Sequence, residues 1–584
     1  MADGSGDLPR WLPEPDIAGE AVAAAREGVV LLQGVRSVPV RRRGGGIDWR
    51  DRGPRGDAEY AYFLNRHTHL LALRAAGRAE EAAVQLADWI AAVPRSRMPH
   101  EDLMHAGWKP MACATRLLQV WPHIYWGSDG VAPADVALRA VMDRSIAEQV
   151  RHLRRHHRRA HNHTIKELAA LAFASLAWPD VPGSAERRDY ALAGLMRELW
   201  RQFTPDGVHV ELSCHYHRSA LDYYRMVLSF CAAWQVQLPD GFAARVEAAH
   251  DYLAHAIDPT GHGLLNNNGD RDPLAAPLIE AAALFGRDDW RFAASGGRDG
   301  TPPAHGSDWR EWAGQALLRD GWDAEARFAF FDAGPWGAAH QHDDKLNITL
   351  VAHGRQLLAD GGRYRYVARD PMVRHLRGSA GHNVLLIDGC GQRPGPKRGQ
   401  GPAAASVALG GGRDRVAASF LDGFRALKGR GRHDRAVMLV HGWGLIVVDR
   451  VTSDRPRRLT ALWRLGPELD AVIEGCEVAS VGAGQGHVRI VPLAAPDWSV
   501  DLVRGRGGAH PLGWYSPRYN AIEPATVALF SAEVGHEALF GWAFPTARDP
   551  FGPQRIGVER LPAGLAVTLP DGRRCVVELD VPAQ

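Results

Sequence analysis

The 584-residue sequence predicts an α+β protein of more than one domain, with a helical N-terminal half followed by an antiparallel β-sandwich. Apolar residues recur at helical spacing from about residue 59 to residue 286, and they alternate with polar residues at strand spacing after about residue 305. A Gly- and Pro-rich segment, residues 296–308, lies between these two regions and predicts a linker. The chain is also longer than one hydrophobic core usually supports.

The helical half is clearest in residues 189–203, DYALAGLMRELWRQF. Its apolar residues form one stripe at helical spacing, and they are Leu192, Leu195, Met196, Leu199 and Phe203. Pro or Gly residues separate most of the predicted helices, as at Gly77 and Pro179. Consecutive helices of this kind are typical of a bundle, a solenoid or an α/α toroid. The sequence shows no strict repeat, which disfavours the solenoid.

The second half contains many short alternating segments with little helix between them, which favours an antiparallel sandwich. Residues 441–444, HGWG, and residues 570–573, PDGR, each separate two such segments. Both tetrapeptides contain the Gly that tight hairpins favour, and we therefore expect a hairpin turn at each of them.

Composition narrows the function classes. Apolar residues make up 46% of the chain and charged residues 23%, with no apolar run of membrane-spanning length and no basic, then apolar, secretory signal at the start. The sequence thus predicts no membrane partner, and either an intracellular protein or one whose leader has been removed. Its six cysteines are scattered, so neither a disulfide framework nor a thiolate zinc site is expected.

A basic stretch, residues 151–163, carries five arginines and no acid. Such a run is usually a solvated helix face, and it also suits attraction of a polyanion, either nucleic acid or acidic sugar. No nucleic-acid recognition motif accompanies it, so we do not expect a nucleic-acid partner. Asn162 and His163 close the stretch, where they are either an N-cap and a surface histidine or a pair of donors for a carboxylate or oxyanion.

A second cluster, residues 206–224, places Glu211, His215, Tyr216 and His217 before a predicted helix. A tyrosine between two histidines is compatible with a buried, hydrogen-bonded aromatic. If its neighbours are positive, they lower its pKa, and the tyrosine then serves as a general acid or base.

A third cluster, HQHDD, leads into a predicted strand. On extended chain His340 and His342 share a face, which is a metal-ligand pattern. Asp360 ends one strand and His382 precedes another, so two histidines and an aspartate of this region are able to form a zinc site with an open fourth position. The alternative is three unrelated polar residues. The chain contains no P-loop, H-E-x-x-H, G-x-S-x-G or dinucleotide motif, which disfavours ATP hydrolysis, zincin proteolysis and α/β-hydrolase chemistry.

Taken in order, the blocks HNHTIKELAAL, DGVHVELSCHYHR, NNNGDRD, DAGPWGAAHQHDDKL, LLADGGRY and GHNVLLIDG resemble the heparinase II/III-like polysaccharide lyases. The resemblance runs from about residue 47 to the end. It implies an N-terminal extension over residues 1–46, an α/α toroid domain over residues 47–300 and an antiparallel β-sandwich domain over residues 309–584.

The resemblance also implies residue roles. Asn162 neutralises the uronate carboxylate, and His163 stands where a second helper is common. Tyr216 is the catalytic tyrosine, and His340 is a base or a neutraliser, depending on the epimer. Zinc is held by His342, Asp360 and His382.

One residue departs from the family pattern. Many relatives have Asn-Asn-His where this chain has His161, Asn162 and His163. The second tyrosine of some relatives has only candidates here, among them Tyr364 and Tyr366. In the substrate-binding set we place Trp108, as a surface on which sugar rings stack, and Glu211, Arg374 and Arg377.

These roles describe β-elimination. Removal of the uronate C5 proton builds charge on the carboxyl group, which must be neutralised in an organised site. Tyr216 or His340 is the base, and Tyr216 is also able to protonate the leaving oxygen at C4. Because this chemistry needs no bound hydroxide, we expect the zinc to be structural. The predicted substrate is a glycosaminoglycan such as heparin, heparan sulfate, chondroitin or hyaluronan, with alginate or another uronan as the alternative.

Two other function classes fit the sequence less well. An α/α-toroid glycoside hydrolase needs two carboxylates beside the bond, for which Glu211, Asp206 and Asp270 are available. A non-catalytic carbohydrate-binding protein needs none of the set formed by Asn162, Tyr216 and His340.

Overall fold

The computed structural model describes residues 10–15, 17–94, 106–128, 130–159, 162–395, 401–494 and 496–581. The chain divides into two compact units. The first, which we call the helical unit, comprises Met1–Gln202 and Ser219–Val246. The second, which we call the β unit, comprises Phe203–Arg218 and Glu247–Gln584.

The helical unit holds most of the helices, with one small hairpin formed by β1 (Val30–Leu32) and β2 (Val35–Ser37). Its helices are α1 (Gly19–Arg26), α2 (Ala58–Leu64), α3 (Thr68–Ala75), α4 (Ala79–Ala92), α5 (Pro110–Thr115), α6 (Trp121–Trp126), α7 (Val136–His156), α8 (Asn162–Ala177) and α9 (Ser184–Gln202). Two helices, α10 (Cys214–Ala233) and α11 (Phe242–Ala256), belong in part to each unit. The stripe predicted on α9 is confirmed, because Leu192, Leu195 and Leu199 are buried.

Several helices of this unit begin where local chemistry favours it. Asp57 and Asp135 cap α2 and α7 by accepting backbone N–H bonds from Glu59 and Leu138. Pro110 lies in the first turn of α5, where a missing N–H costs nothing.

An aromatic core in the helical unit contains Trp108. Its ring is 1% exposed and lies 6.2 Å from the ring of Trp89, and its indole N–H donates to the Val93 carbonyl at 2.8 Å. The prediction that Trp108 stacks on sugar rings is therefore wrong, because neither ring face is open to a ligand. The aromatic surface of Trp108 is used for packing in the core and is not available for stacking on a sugar ring.

The β unit contains α12 (Ala275–Phe285), α13 (Asp288–Ala294) and α14 (Pro371–Arg377). Its strands are β3 (Asp308–Arg310), β4 (Gln315–Arg319), β5 (Phe328–Asp332), β6 (Asn347–Ala352), β7 (Arg355–Leu358), β8 (Leu385–Ile387), β9 (Ala405–Ala408), β10 (Arg413–Phe420), β11 (Gly431–Val440), β12 (Gly444–Ser453), β13 (Arg457–Arg464), β14 (Asp470–Glu474), β15 (Glu477–Val481), β16 (His487–Leu493), β17 (Ser499–Arg504), β18 (Trp514–Tyr515), β19 (Glu523–Pro524), β20 (Thr526–Val534), β21 (Glu537–Ala547), β22 (Gly557–Leu561), β23 (Gly564–Thr568) and β24 (Arg574–Glu578).

The described strands pair in antiparallel fashion and form layers. The largest sheet has eight strands in the order β14-β15-β16-β21-β12-β11-β10-β9. One of its faces packs on a five-stranded sheet, β3-β4-β5-β6-β7, and a four-stranded sheet, β17-β20-β13-β8. Its other face packs on a three-stranded sheet, β22-β23-β24. The sandwich is therefore extended by a third layer that the sequence did not predict.

Strand alternation explains how one sheet serves two cores. On β11, Val437 and Leu439 point into the main core, while Ala436 and Met438 point toward the three-stranded sheet. Both predicted hairpin turns are confirmed, between β11 and β12 and between β23 and β24. The six cysteines are free thiols. No helix among the described residues is long and apolar enough to cross a bilayer.

Candidate active site

Three consecutive asparagines, Asn266, Asn267 and Asn268, organise the loops of the site in the β unit. The side-chain amides of Asn266 and Asn267 donate to the Leu212 carbonyl at 2.8 and 3.0 Å. The Asn267 side-chain oxygen accepts the backbone N–H of His342 at 3.0 Å. All three asparagines are buried, so these bonds tie the loop before α10 to the His340–His342 segment without competition from water.

Tyr216, on the first turn of α10, is the centre of a cluster of aromatic and cationic side chains. Its ring stacks on the His340 imidazole, with centroids 4.0 Å apart and planes 11° apart. Its hydroxyl is hydrogen-bonded to the Tyr366 hydroxyl, and the Arg363 guanidinium donates to the Tyr216 oxygen at 3.3 Å and also to the Tyr366 oxygen. We call Tyr216, His340, Arg363 and Tyr366 the tyrosine cluster.

Two carboxylates hold the tyrosine cluster in place. Asp270 accepts two N–H bonds from Arg363, at 3.1 and 2.8 Å, and the Tyr519 backbone N–H at 2.9 Å. The Glu211 carboxylate lies 3.0 Å from Nδ1 of His340 and is 3% exposed. The prediction that Glu211 contacts substrate is therefore replaced by a different role, because its buried carboxylate is already bound to His340 and orients that ring.

The pKa of Tyr216 moves in the direction opposite to the one expected from its neighbours. Burial raises the pKa of Tyr216 well above its usual value, and this outweighs the nearby Arg363. One flanking histidine, His217, does not supply the expected positive charge. Burial lowers the pKa of His217 well below its usual value, and His215 is bound to Asp272 at 2.7 Å. Tyr216 is therefore a protonated phenol at neutral pH.

A second, fully buried cluster includes His342, two residues after His340. His342, Asp344 and His382 bring one ligand atom each to within 4.8 Å of one another. Four of their atoms are buried and make no hydrogen bond within the described part of the chain: Nδ1 of His342, Nε2 of His382 and both carboxylate oxygens of Asp344. Burial raises the pKa of Asp344 to about 7. We call these three side chains the buried triad.

The other ring nitrogens of the buried triad have partners. Nε2 of His342 lies 2.9 Å from the Asn268 side-chain oxygen, and Nδ1 of His382 lies 2.7 Å from the Asp360 carboxylate. These acceptors leave the lone pairs of both rings directed at the shared space, the arrangement found behind metal-binding histidines. Unpaired carboxylate and imidazole atoms together suit a zinc ion.

The predicted ligand set thus differs from the geometry in one residue. Asp360 was predicted as a zinc ligand, but in this structure it accepts from His382 and, at 2.8 Å, from the Asn347 amide. Asp344 supplies the unpartnered carboxylate instead. The sequence signal for Asp344 was present, since it belongs to the HQHDD block.

His340 and His342 do not share a strand face. Both precede β6, which begins only at Asn347, and His340 has a left-handed backbone with φ of 62°. The alternation rule applies to extended chain, and the condition under which the two side chains would share a face is therefore not met. The turn at His340 sends one histidine to Glu211 and the next to Asn268.

Asn162 and His163 form the first turn of α8 in the helical unit, and both are half-buried. His161 lies outside the described residues. In the basic stretch, Arg151, Arg155 and Arg158 are exposed, as expected for a solvated helix face, whereas the Arg154 guanidinium stacks 3.5 Å from the Tyr190 ring centroid. The roles predicted for Asn162 and His163 stay predictions.

Arg374 and Arg377 are exposed residues of α14. The Arg377 guanidinium lies 3.4 Å from the Gln341 carbonyl, next to His340, while the Arg374 guanidinium lines a separate pocket of the β unit. Arg363 and Asp270 were not predicted as a pair, because 93 residues separate them.

The carboxylates of a glycosidase are not free here. Glu211 binds His340, Asp270 binds Arg363, and Asp206 accepts the backbone N–H of Trp312 at 2.8 Å. This arrangement disfavours the hydrolase alternative, which needs one acid and one base beside the bond.

Comparison with known families agrees with these features. A family model described as Heparinase II/III N-terminus matches residues 15–263, and one described as Heparinase II/III-like, C-terminal, matches residues 301–543. The chain belongs to the heparinase II/III-like family. The resemblance predicted from its sequence blocks is thereby confirmed.

Relatives of this family member include two heparin-sulfate lyases. The one from Pedobacter heparinus is 24% identical over 323 residues, which are 53% of this chain and 48% of that protein. The one from Bacteroides stercoris is 20% identical over 374 residues, 59% of this chain and 56% of that protein. The chain thus spans about half the length of the curated relatives it matches.

Solved structures share the fold. A heparan sulfate lyase from Pedobacter heparinus is 18% identical and superposes with a TM-score of 0.71. The match covers 99% of this chain and 92% of the lyase chain. Heparinase III is 17% identical, with coverages of 97% and 92% and a TM-score of 0.79. These likenesses confirm the predicted fold class, an α/α toroid followed by an antiparallel β-sandwich.

Proposed function

We propose that this protein is a lyase that cleaves a uronate-containing glycosaminoglycan by β-elimination and leaves an unsaturated uronate on one product. The observation that carries the proposal is the tyrosine cluster. It places a protonated phenol, an imidazole and a guanidinium within one hydrogen-bonded and stacked group. Elimination needs an acid and a base at neighbouring carbons, and this group supplies both.

Tyr216 suits the acid role. Its raised pKa keeps the phenol protonated at neutral pH, so it is able to give a proton to the leaving oxygen at C4. The Arg363 guanidinium lies 3.3 Å from the Tyr216 hydroxyl oxygen and stabilises the phenolate that forms as the proton leaves.

His340 suits the base role. Glu211 occupies the Nδ1 side of its ring, so Nε2 is the nitrogen left for a substrate proton. The imidazolium that forms after removal of the C5 proton is stabilised by the buried Glu211 carboxylate. Asn162 and His163 are proposed, from the family resemblance alone, to neutralise the uronate carboxylate.

A structural zinc ion fits the buried triad. His342, Asp344 and His382 would hold it, with Asn268 and Asp360 fixing the two rings from behind. The bound ion would supply positive charge that balances the Asp344 carboxylate and would tie the loop before β6 to the loop before β8. None of the proton transfers above involves it.

The polymer is proposed from similarity and charge. The curated relatives are named heparin-sulfate lyases, and the exposed arginines of the basic stretch attract polyanions. A heparin- or heparan-like chain is therefore the first candidate. One of the neighbouring folds, at 11% identity and a TM-score of 0.55, is a chondroitin AC lyase from Streptomyces coelicolor A3, so chondroitin is the second candidate.

Ultraviolet absorbance of the unsaturated uronate tests the proposal. Wild type and Tyr216→Phe are incubated with heparin, heparan sulfate, chondroitin, hyaluronan and alginate, and Tyr62→Phe serves as the matched control. With wild type and Tyr62→Phe, we expect absorbance to rise on at least one glycosaminoglycan. With Tyr216→Phe, we expect the rate of that rise to be about 10²- to 10⁴-fold lower. New reducing ends without absorbance would refute elimination and favour hydrolysis.

A further inference from the structure

A second pocket in the β unit has the chemistry of an acidic-sugar site. Its volume is about 360 Å³, within the range of small-ligand sites. It is lined by α14, by the loop that contains Arg506 and Leu512, and by the outer face of the four-stranded sheet. None of the side chains in the tyrosine cluster or the buried triad lines it.

The floor of this pocket is apolar. Leu386 of β8, Leu462 of β13 and Leu529 of β20 point away from the main core, because their sequence neighbours Leu385, Ala461 and Phe530 and others point into it. A sheet face with leucines turned outward offers a surface for the carbon-hydrogen face of a sugar ring.

The rim is cationic. Arg374 and Arg506 are exposed and line the pocket together with two histidines, and no acidic residue lines it. Within the described ranges, neither guanidinium has a carboxylate partner. Two unneutralised arginines over an apolar floor form a site that a neutral sugar would not fill and an anion would.

We propose that this pocket, formed by Arg374, His375, Arg506 and the outward leucines, is an accessory subsite that binds one acidic sugar residue of the polymer away from the reacting bond. Its carboxylate or sulfo group binds the two arginines, while its ring lies on Leu386 and Leu529, which are partly exposed. The identity of the polymer, though not the chemistry of the pocket, rests on the proposed function.

The test measures binding of a size-defined heparan sulfate octasaccharide by calorimetry. It is made in the Tyr216→Phe background, so that the probe is not consumed. The charge variant is Arg374→Ala with Arg506→Ala, and the steric variant is Ala509→Trp, which fills the pocket from its exposed edge without a change of charge. Arg458→Ala removes an exposed arginine of the same sheet that does not line the pocket and serves as the control.

We expect the dissociation constant to rise about tenfold in the charge variant and several-fold in the steric variant, as for loss of two rim ion pairs, with no change in the control. Equal affinity in all four proteins would overturn the inference, as would an equal loss in the control. The proposed function is judged separately, from the ultraviolet absorbance that develops when the octasaccharide is incubated with the protein that retains Tyr216. If binding depends on the pocket but no elimination occurs, the proposed lyase activity is contradicted while the proposed subsite is supported.

Discussion

The tyrosine cluster and the buried triad each contain one histidine of the HQHDD block, His340 and His342, and they have opposite physical characters. His340 in the first is partly exposed and stacked on an aromatic ring. His342 in the second is fully buried, with an unpartnered nitrogen. The first arrangement suits the proton transfer proposed for it, and the second suits the zinc ion proposed for it.

One backbone angle produces this difference. The left-handed φ of 62° at His340 interrupts the extended chain, and the two histidines face different partners. A non-glycine residue in this region carries a conformational cost, which surrounding bonds must offset. The Asn268 backbone N–H, which donates to the His340 carbonyl at 2.9 Å, is one such bond. The left-handed turn thus separates the residue proposed as the base from the residue proposed as a zinc ligand.

Substitution of each histidine by alanine gives the largest expected effect. His340→Ala should lower the elimination rate by about 10²- to 10⁴-fold and leave the melting temperature and the metal content near those of wild type. His342→Ala should lose the metal and melt at a lower temperature, because a structural zinc contributes directly to folding. Atomic absorption and calorimetry are measured beside activity.

The comparison breaks if the two variants behave alike. Loss of metal in His340→Ala would mean that the clusters are one unit. A fully stable, fully active His342→Ala would mean that the buried triad holds no ion of structural importance. Prolonged chelation of wild type should reproduce the melting curve of His342→Ala.

A third buried centre, in the sandwich core, provides a reference in which the carboxylate has protein partners. Asp449 accepts from His433 at 2.7 Å, from Arg435 at 2.7 Å and from the Trp542 indole at 3.0 Å. Burial alone would raise the pKa of Asp449, but Arg435 and His433 outweigh it and lower the pKa to about 2. Asp449→Asn leaves Arg435 buried without its counter-charge, so we expect a loss of about 3–5 kcal/mol in the free energy of unfolding.

The same centre predicts a pH dependence of stability. A depressed pKa in the folded state gives stability that is present above the unfolded pKa and lost as pH falls through the folded pKa. The lowered pKa of His433 acts in the same direction, beginning near pH 6.5. Wild type should therefore lose stability from about pH 6.5 downward and lose it again below about pH 4. The free energy of unfolding, measured in urea at several pH values, should fall less steeply below about pH 4 for Asp449→Asn than for wild type. An equally steep fall in both proteins would contradict this assignment.

Metal affinity should distinguish the two aspartates near the buried triad. Asp344→Asn removes the charge of the proposed ligand, whereas Asp360→Asn weakens the bond that orients His382. We expect Asp360→Asn to cost about 10- to 100-fold in zinc affinity and Asp344→Asn to cost more. Competition with a chromophoric chelator measures both. The reverse order would restore the ligand set predicted from sequence.

Much of the fold was predictable because it rests on local patterns. The buried stripe of α9 follows a 3.6-residue period, and the turn at residues 441–444 carries its own glycines. The third sheet layer was not predictable in this way. Most of β22 is exposed and does not alternate, so its place depends on β23 and on the outer face of the large sheet.

The site residues were predictable as types rather than as partners. Tyr216, His340, His342 and His382 were named from sequence blocks, but the blocks hold no information on long-range pairing. The bond between Arg363 and Asp270, the left-handed turn at His340 and the choice between Asp344 and Asp360 all depend on contacts with distant residues. The same is true of Glu211, which precedes His340 by 129 residues.

Glu211→Gln gives the smallest effect of the series and the sharpest test of the tyrosine cluster. Glutamine keeps the size of the side chain and removes the charge that holds Nδ1 of His340. We expect kcat to fall about 10- to 100-fold, since small misplacement of a catalytic group has costs of this size, while KM and metal content stay near wild type. Steady-state kinetics on the preferred polymer measures both constants, and Glu211→Asp should recover part of kcat.

A rise in KM with unchanged kcat would instead support the original prediction that Glu211 contacts the substrate. Glu325→Gln is a suitable control, because it breaks a carboxylate–histidine bond of similar length but greater exposure, 2.9 Å to His353, outside both clusters. If that variant lost as much activity as Glu211→Gln, the effect would reflect general destabilisation of the β unit. Loss of kcat confined to Glu211→Gln would identify the buried carboxylate as the group that positions the base.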